Sequence, residues 1–321
     1  MFVAALAFVL AFPAAPQEGA LFAPTLREEE AYSEAYTAVF DGDDGTYAIT
    51  QLLLTNAGLG DGNVLCRALV VPPGGAGRNG VVRMGRADWT YDSTGDVLLA
   101  GGCRVGRSPE GFSLVADADG VRVELQLNRP GFVTKPPHHT VHAANGTFHS
   151  TELLAPWTPA ELLATTVDGQ GGPRRVRGKV TVDRARTNAM MLDVAAEWFR
   201  FRGQHGDAPV LVQIRMPPHH GKPEGWLWAR GQQPVSVMNH QLAAGKDAWT
   251  WSVTTSGGTF TITRGTPIFR YRPAEQYGLL GKIARPFIGD PETRTYRGTL
   301  VGPDGQVTRG TLEHMRIQSG D

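Results

Sequence analysis

Strict alternation of apolar and polar residues is the feature that most constrains the fold of this chain. From Val121 to Leu127 the residues alternate without a break, with four apolar residues in one set and three polar residues in the other. In a strand this pattern puts the two sets on opposite faces. The turn signal Ala118-Asp119-Gly120 comes directly before it, as is typical of a hairpin. The segment therefore predicts a sheet that is covered on one face and wet on the other.

Strand-like runs of this kind recur along both halves of the chain. The 40 glycines, 22 prolines and 19% charged residues suit a turn-rich β protein better than a helical one. Successive hairpins favour an antiparallel meander, which loses its exposed edges most simply by closing into a barrel. Residues 25–40 are the exception in the first half and are predicted to be moderately helical. We predict strands at 46–56, 63–71, 81–91, 96–105, 111–116, 121–127, 209–216, 225–230, 235–240, 248–254, 259–264, 267–271, 293–301 and 306–316.

The length of the chain predicts two domains. With 321 residues, it exceeds the size that one hydrophobic core usually serves. We predict an N-terminal barrel over residues 25–172 and a C-terminal barrel over residues 173–321. Gln51 in ITQLLL and Gln213 in LVQIRM occupy similar places in the two halves, which agrees with two barrels of similar size.

A short helix is predicted where the two halves join, within residues 176–202. Asn188 is placed to cap its first turn, because its side-chain oxygen can accept a bond from an unpaired backbone N–H. A strand that begins at Trp198 is the competing interpretation. The helix rests on four apolar residues with the i, i+3, i+4, i+7 spacing of one helix face: Met191, Val194, Ala195 and Trp198.

The N-terminus resembles a secretory signal. Residues 2–12 form an apolar run that is too short to span a bilayer, and small residues follow at Ala14 and Ala15, although no Lys or Arg precedes the run. We predict that residues 1–16 are a signal peptide and that the protein is periplasmic or secreted. An apolar N-terminal tail is the alternative.

The charge balance argues against a nucleic-acid partner. The chain has 31 basic and 31 acidic residues and a formal net charge of zero, so it has no overall field that would steer it to nucleic acid. The arginine-rich stretch 174–186 is interpreted as a solvated loop edge.

A resemblance to a known family becomes visible in several runs. DGTYAITQLLLTNAGLGDGNVLCRALVVPP, GKVTVDRARTN, EWFRFR, GWLWARG and YRGTLVGPDGQVTRGTLEHMRI resemble the AttH/CrtC-like (hydroxyneurosporene synthase-like) and Svf1-like group of double-lipocalin proteins, from about Ala31 to Ile317. The resemblance implies an all-β fold of two lipocalin-like antiparallel barrels joined by a short helical segment. It also implies a ligand of lipid or isoprenoid size and, in some members, hydration of a carotenoid double bond.

Asp183 is the candidate catalytic residue. Hydratase members of the group carry the run Gly-x-Gly-Tyr-His-Asp-His-Asn-Trp, and Gly178 and Asp183 align with its first Gly and its Asp. Arg184, Ala185 and Arg186 stand where His-Asn-Trp would be, which argues against hydratase activity. Protonating an alkene requires a dry carboxyl group with a raised pKa. The neighbouring arginines instead favour a salt bridge at the surface or rim.

Tryptophans supply the candidate ligand-binding residues. Two i, i+2 pairs would each point to one face of a strand, and both pairs could line one barrel. A packed core is the alternative, although a closed barrel of about eight strands has room for one small apolar molecule. The candidates are Trp226, Trp228, Trp249, Trp251, Trp198 and Gln213.

The cysteines leave a disulfide undecided, and the histidine pattern argues against a zinc site. Cys66 and Cys103 could form a disulfide or stay buried thiols. The HHxxH run at His138, His139 and His142 follows two prolines, which disfavour the helix that such a zinc motif needs, so no metal site is predicted. The sequence contains no Walker loop and no Gly-x-Ser-x-Gly elbow, and no cofactor is expected.

Two hypotheses for function follow. The first is non-catalytic binding or transport of an apolar ligand, such as a lipid, fatty acid or isoprenoid, outside the cytoplasm. It involves a monomer that contacts membranes transiently. The alternative is a cofactor-free lyase or isomerase, similar to a carotenoid hydratase or a cyclase, in which Asp183 acts on an apolar isoprenoid substrate.

Overall fold

Antiparallel strands form almost all of the regular structure, which confirms the predicted all-β class. The computed structural model describes residues 20–57, 61–108, 111–128, 138–142, 145–166, 173–205, 208–217, 223–229, 234–244, 249–276 and 290–318. The predicted signal peptide, residues 1–16, lies outside these ranges. Within them, no helix has the length and apolar character needed to cross a membrane.

The first sheet is a twelve-stranded, nearly closed barrel. Its spatial order is β4-β3-β2-β1-β12-β11-β9-β8-β7-β6-β5, and β10 pairs with β11 outside this path. The strands are β1 (Ser33–Gly42), β2 (Tyr47–Thr55), β3 (Asn63–Val71), β4 (Arg78–Met84), β5 (Trp89–Asp92), β6 (Val97–Ala100), β7 (Cys103–Ser108), β8 (Gly111–Ala118), β9 (Val121–Asn128), β10 (His138–His142), β11 (Phe148–Thr166) and β12 (Arg174–Thr187).

The second sheet is a closed barrel of eight strands in chain order. Its first strand pairs with its second and with its last, so among the described strands of this barrel none is left as an edge. The strands are β13 (Glu197–His205), β14 (Ala208–Met216), β15 (Glu224–Ala229), β16 (Val235–Ala244), β17 (Trp249–Thr255), β18 (Gly258–Tyr271), β19 (Asp290–Val301) and β20 (Val307–Gln318).

Each barrel has its own apolar core, as the predicted double-barrel architecture requires. Phe40, Val180 and Val182 belong to the first core, and Phe199 and Trp251 belong to the second. Alternation along the strands sends the intervening side chains outward. Outward side chains of β1 and β12 meet those of β13 and β20, and we call this contact region the seam.

Pairing places β12 in the first barrel. This strand pairs with β1 from Gly178 to Thr187 and with β11 from Arg174 to Thr187. The predicted boundary at residue 173 would have assigned the strand to the second barrel, whereas the sheets divide between β12 and β13.

The helical joint is shorter than predicted. It consists of α1 (Met191–Val194), and a second short helix, α2 (Pro273–Gln276), follows β18. Trp198 lies in β13, so extending the helix to this residue was wrong and the competing strand is correct. Asn188 does not cap the helix, because its side-chain oxygen accepts a bond from the Phe148 N–H at 2.7 Å.

The structure also decides the predictions for residues 25–40 and for the two cysteines. The moderately helical prediction for residues 25–40 was wrong, because β1 begins at Ser33 and pairs with β2 and β12. Cys66 and Cys103 form a disulfide, with their Cα atoms 6.4 Å apart. His138 and His142 lie on β10, an extended strand.

Candidate functional site

A cavity of about 400 Å³ lies in the seam between the two barrels. Strands β1, β2 and β12 form one wall, and β13 and β20 contribute to the other. The volume lies within the range of small-molecule sites. The lining residues are Ala31, Ser33, Ala35, Thr37, Gln51, Leu53, Ala57, His149, Asp183, Ala185, Thr187, Ala189, Met190, Trp198, Arg200, Pro291, Glu313 and Met315.

Asp183 reaches this cavity because of strand alternation. Val180 and Val182 point into the first core, so Asp183 points out of that barrel and into the seam. Its side chain is only 2% exposed. The predicted position at the surface or rim was therefore wrong.

Two arginines of the second barrel pair with Asp183. One Oδ atom lies 3.5 Å from a guanidinium nitrogen of Arg200 and 3.5 Å from one of Arg202. The predicted partners Arg184 and Arg186 point the other way and both pair with Glu152. Asp183 is thus in a salt bridge, but with other partners than those predicted from the sequence, and this salt bridge is buried and crosses the seam.

Further polar groups hold these arginines in place. Arg202 donates to Glu313 at 3.0 Å. Arg200 donates through Nε to Gln213 at 2.9 Å, and Gln213 donates to Thr151 at 3.4 Å. Burial raises the pKa of Glu313, but Arg202 and Arg200 outweigh burial and the net pKa is lowered. Glu313 is therefore an ionised carboxylate at neutral pH.

His149 adds a neutral imidazole to the wall. Burial lowers its pKa to about 3, and the nearby charges of Arg200 and Arg215 act in the same direction. Its ring meets the Trp198 ring edge-on, with centroids 4.9 Å apart, and the Arg200 guanidinium lies 4.9 Å from the Trp198 centroid. Within the described part of the chain, neither His149 Nδ1 nor Trp198 Nε1 has a hydrogen-bond partner.

The predicted ligand-binding residues divide among three places. Trp198 lines the cavity, and Gln213 lies behind it as a support for Arg200. The two pairs predicted to line one barrel lie on strands of the second barrel, but only one pair faces its interior. Trp226 and Trp228 pack outside the second barrel with Leu153 and Leu211, whereas Trp249 and Trp251 lie in its core.

Sequence reasoning missed His149, Arg200 and Glu313. A usable signal existed for Arg200, because EWFRFR alternates arginine with phenylalanine inside a strand. His149 and Glu313 carried no such signal. Among the described residues, no group of three His, Cys, Asp or Glu side chains is arranged to hold a metal ion.

The fold has solved relatives, although no family model and no curated protein matches the sequence. A crystal structure assigned to AttH from Nitrosomonas europaea matches with a TM-score of 0.58 at 15% identity, over 96% of this chain and 98% of that one. CghA matches with a TM-score of 0.61 at 12% identity, over 96% and 94%. Kievitone hydratase from Nectria haematococca matches with a TM-score of 0.56 at 10% identity, over 94% and 92%.

These likenesses cover both barrels and confirm the predicted resemblance at the level of structure. The chain has the double-barrel, lipocalin-like fold that the AttH structure has. At 10–15% identity the comparison defines the fold and not the function, because one fold can host several chemistries.

Proposed function

We propose that the protein is a cofactor-free enzyme of the lyase or isomerase type that acts on an apolar small molecule held in the seam cavity. The observation that carries this proposal is the buried charge cluster of Asp183, Arg200 and Arg202 beside a largely apolar lining. Burying charges costs several kcal/mol per ion, as an order of magnitude. A site that only holds a lipid does not require that cost.

The groups in the wall suit proton transfer. Asp183 supplies a carboxylate oxygen that can take a proton from a substrate carbon or oxygen. Arg200 supplies a fixed positive charge next to it, which stabilises negative charge that develops on the substrate. The neutral imidazole of His149, whose Nδ1 has no hydrogen-bond partner in the described residues, offers a hydrogen-bonding group to the substrate. In a proton-shift isomerisation a base removes a proton at one atom and returns it at another, and in an elimination it removes a proton while the leaving group departs.

A named enzyme with the same fold supports this class. Kievitone hydratase is by its name a hydratase, and its structure matches both barrels of this chain. We infer a related type of reaction here, although Arg184, Ala185 and Arg186 replace the His-Asn-Trp of the hydratase run.

Carriage of an apolar ligand is the second candidate. Leu53, Met190, Trp198 and Met315 contribute apolar surface to the cavity, and a volume of about 400 Å³ fits one lipid-like molecule. The Cys66–Cys103 disulfide supports a location outside the cytoplasm for either candidate, because disulfides persist in oxidising compartments.

Mass spectrometry of bound and converted molecules separates the two candidates. One portion of the purified protein is extracted with organic solvent to identify bound molecules. A separate, folded portion is incubated with a carotenoid, other isoprenoids and fatty acids, and the products are analysed. We expect conversion of at least one apolar substrate. Asp183→Asn keeps the size of the side chain but cannot carry the proton, so turnover should fall by roughly 10²–10⁴ with ligand affinity nearly unchanged.

Asp96→Asn is the matched control. Asp96 is a buried carboxylate of the first barrel that accepts bonds from Leu21 and Phe22 N–H, so its loss costs stability without touching the cavity. Retention of unaltered lipid by wild type, with no conversion of any substrate, would establish the carrier instead.

A further inference from the structure

A second opening on the seam lies away from the cavity, and the proposed function does not use it. Along β1 the cavity is lined by Ser33, Ala35 and Thr37, whereas this groove is lined by Asp41 and Gly42 at the other end of the strand. The groove has a volume of about 740 Å³ and extends to β18, β19 and β20 of the second barrel. Both barrels therefore contribute to its walls.

Basic side chains outnumber acidic ones in this groove. Lys179, Arg264, Arg297 and Arg309 line it, against Asp41 and Asp43. Asp41 is already engaged by Arg297, which also donates to the Gly45 carbonyl at 2.8 Å. Lys179 lies opposite Asp41 across the pairing of β1 with β12, but within the described residues neither Lys179 nor Arg309 forms a salt bridge with a carboxylate.

These two cations come from different barrels and line the same groove. Lys179 lies on β12 and Arg309 on β20. Like charges that share a groove repel each other, and an anion bound between them replaces repulsion with attraction. A guanidinium group matches phosphate oxygens with paired N–H donors, and an ammonium group serves as a point charge.

We propose that this groove binds a phosphate group, carried either by a soluble phosphate ester or by the headgroup of an anionic lipid. Thr263 and Thr299 also line the groove and offer hydroxyl donors to the remaining phosphate oxygens. The size of the groove leaves room for the organic part of the ester.

The backbone conformation of Trp157 supports the proposed phosphate site. It has φ +37°, in the left-handed region that a bulky side chain rarely adopts. It lies where the pairing of β11 with β12 is irregular, between Ala155 and Thr158, and it lines the groove. The strand thus holds an unfavourable conformation at a residue that lines the same groove as the cations.

Calorimetric titration with inorganic phosphate and with glycerol 3-phosphate tests the proposal. Sedimentation with vesicles of phosphatidylglycerol and phosphatidylcholine, against phosphatidylcholine alone, tests the lipid source. We expect saturable binding that weakens with salt and that falls at least tenfold in the double variant Lys179→Gln, Arg309→Gln. Binding of glycerol 3-phosphate identifies the phosphate group itself, and binding of phosphatidylglycerol vesicles alone identifies a lipid headgroup.

The double variant Arg122→Gln, Arg175→Gln is the charge-matched control. Both arginines are exposed, lie outside the groove and pair with other carboxylates, Arg122 with Asp117 and Glu124, and Arg175 with Glu161. Trp157→Phe should abolish a phosphate-induced change in tryptophan fluorescence. Phosphate bound elsewhere on the surface by general charge would not depend on Trp157. Asp183→Asn should leave phosphate binding unchanged, so the experiments test the proposed enzymatic function and the proposed phosphate site independently. An absence of saturable binding to both phosphate probes and to the vesicles, or an equal loss in the Arg122→Gln, Arg175→Gln control, overturns the proposal.

Discussion

At the scale of single residues, the seam is organised by compensation of buried charge. Arg202 is only 1% exposed and contacts two carboxylates, Asp183 and Glu313, which come from different barrels. A buried ion pair contributes little net stability, but removing one partner leaves an uncompensated charge. Arg202 therefore contacts both carboxylates, and Arg200 supplies a second positive charge beside Asp183.

We expect Arg202→Met to lower the free energy of unfolding by about 3–5 kcal/mol, measured by urea denaturation. Arg175→Met removes an arginine from an exposed pair with Glu161 and should cost at most about 1 kcal/mol. Similar losses in the two variants would contradict the burial described for Arg202.

His149 makes stability depend on acid. The pKa of an unfolded histidine is about 6.5, whereas burial first, and then Arg200 and Arg215, lower the folded value to about 3. Below pH 6.5 the unfolded chain binds a proton that the folded chain does not, so stability falls as pH decreases. Between pH 6.5 and 4.5 the expected loss is roughly 2–3 kcal/mol.

Melting curves of wild type and His149→Gln over this pH range measure the effect. The pKa values of His139 and His240 are also lowered by burial and contribute to the same window, so the difference between the two proteins isolates His149. Parallel pH profiles would mean that the His149 imidazole is not kept neutral by burial.

The correct partners of Asp183 were partly readable from the sequence. Successive side chains of a strand point to opposite faces, so Arg184 and Arg186 could not share a face with Asp183. Residues 174–186 were interpreted as a solvated loop edge, which was wrong because they belong to β12, so strand alternation was not used to choose between the partners. That Arg200 and Arg202 take the place of these partners could not be predicted, because it depends on how two separate barrels pack.

At the scale of elements, β13 shows how one strand serves both the core and the site. Phe199 and Phe201 point into the second barrel, and Trp198, Arg200 and Arg202 point into the seam. The run that precedes β13 has helical spacing and the run within it has strand alternation, so local pattern alone could not fix where the helix ends. Closure of the barrel decided it, since β13 pairs on both sides.

Substitution of two tryptophans distinguishes the core of the second barrel from the seam cavity. We expect Trp251→Ala, in the barrel core, to cost about 3–5 kcal/mol of stability and to leave binding in the seam cavity intact. Trp198→Ala should weaken the binding of a fluorescent fatty acid, because Trp198 lines the cavity. Urea denaturation and fluorescence titration measure the two effects. Loss of binding in Trp251→Ala alone would place the ligand inside the second barrel.

At the scale of the whole molecule, the cavity combines strands that are far apart in the sequence. Residues near 33, 149, 183, 200 and 313 meet there. Alternation and turn signals predicted most of the strands and, with the family resemblance, the double barrel. They carry no information about the relative placement of two barrels, which depends on complementarity of their outer faces. Of the predicted site residues, Asp183 and Trp198 line this cavity and Gln213 supports Arg200, and their role in binding or catalysis stays a prediction.

The position of the disulfide is also understood from the whole first barrel. The two ends of the first sheet, β4 and β5, are not paired with each other in the described residues, so this barrel, unlike the second, keeps two edges. Cys66 on β3 and Cys103 on β7 lie inside the barrel and bridge strands close to those two edges. The bond thus provides a covalent link where hydrogen bonding does not close the sheet.

Removing this link should loosen the first barrel selectively. For a sequence separation of 37 residues, the chain-entropy model gives a loss of about 4 kcal/mol on replacing both cysteines by alanine. We expect faster amide hydrogen exchange in β4 and β5, because these edge strands depend most on the bridge. The closed second barrel should keep the protection of β13 and β20. Uniform loss of protection across both barrels would show instead that the seam couples their unfolding into one transition.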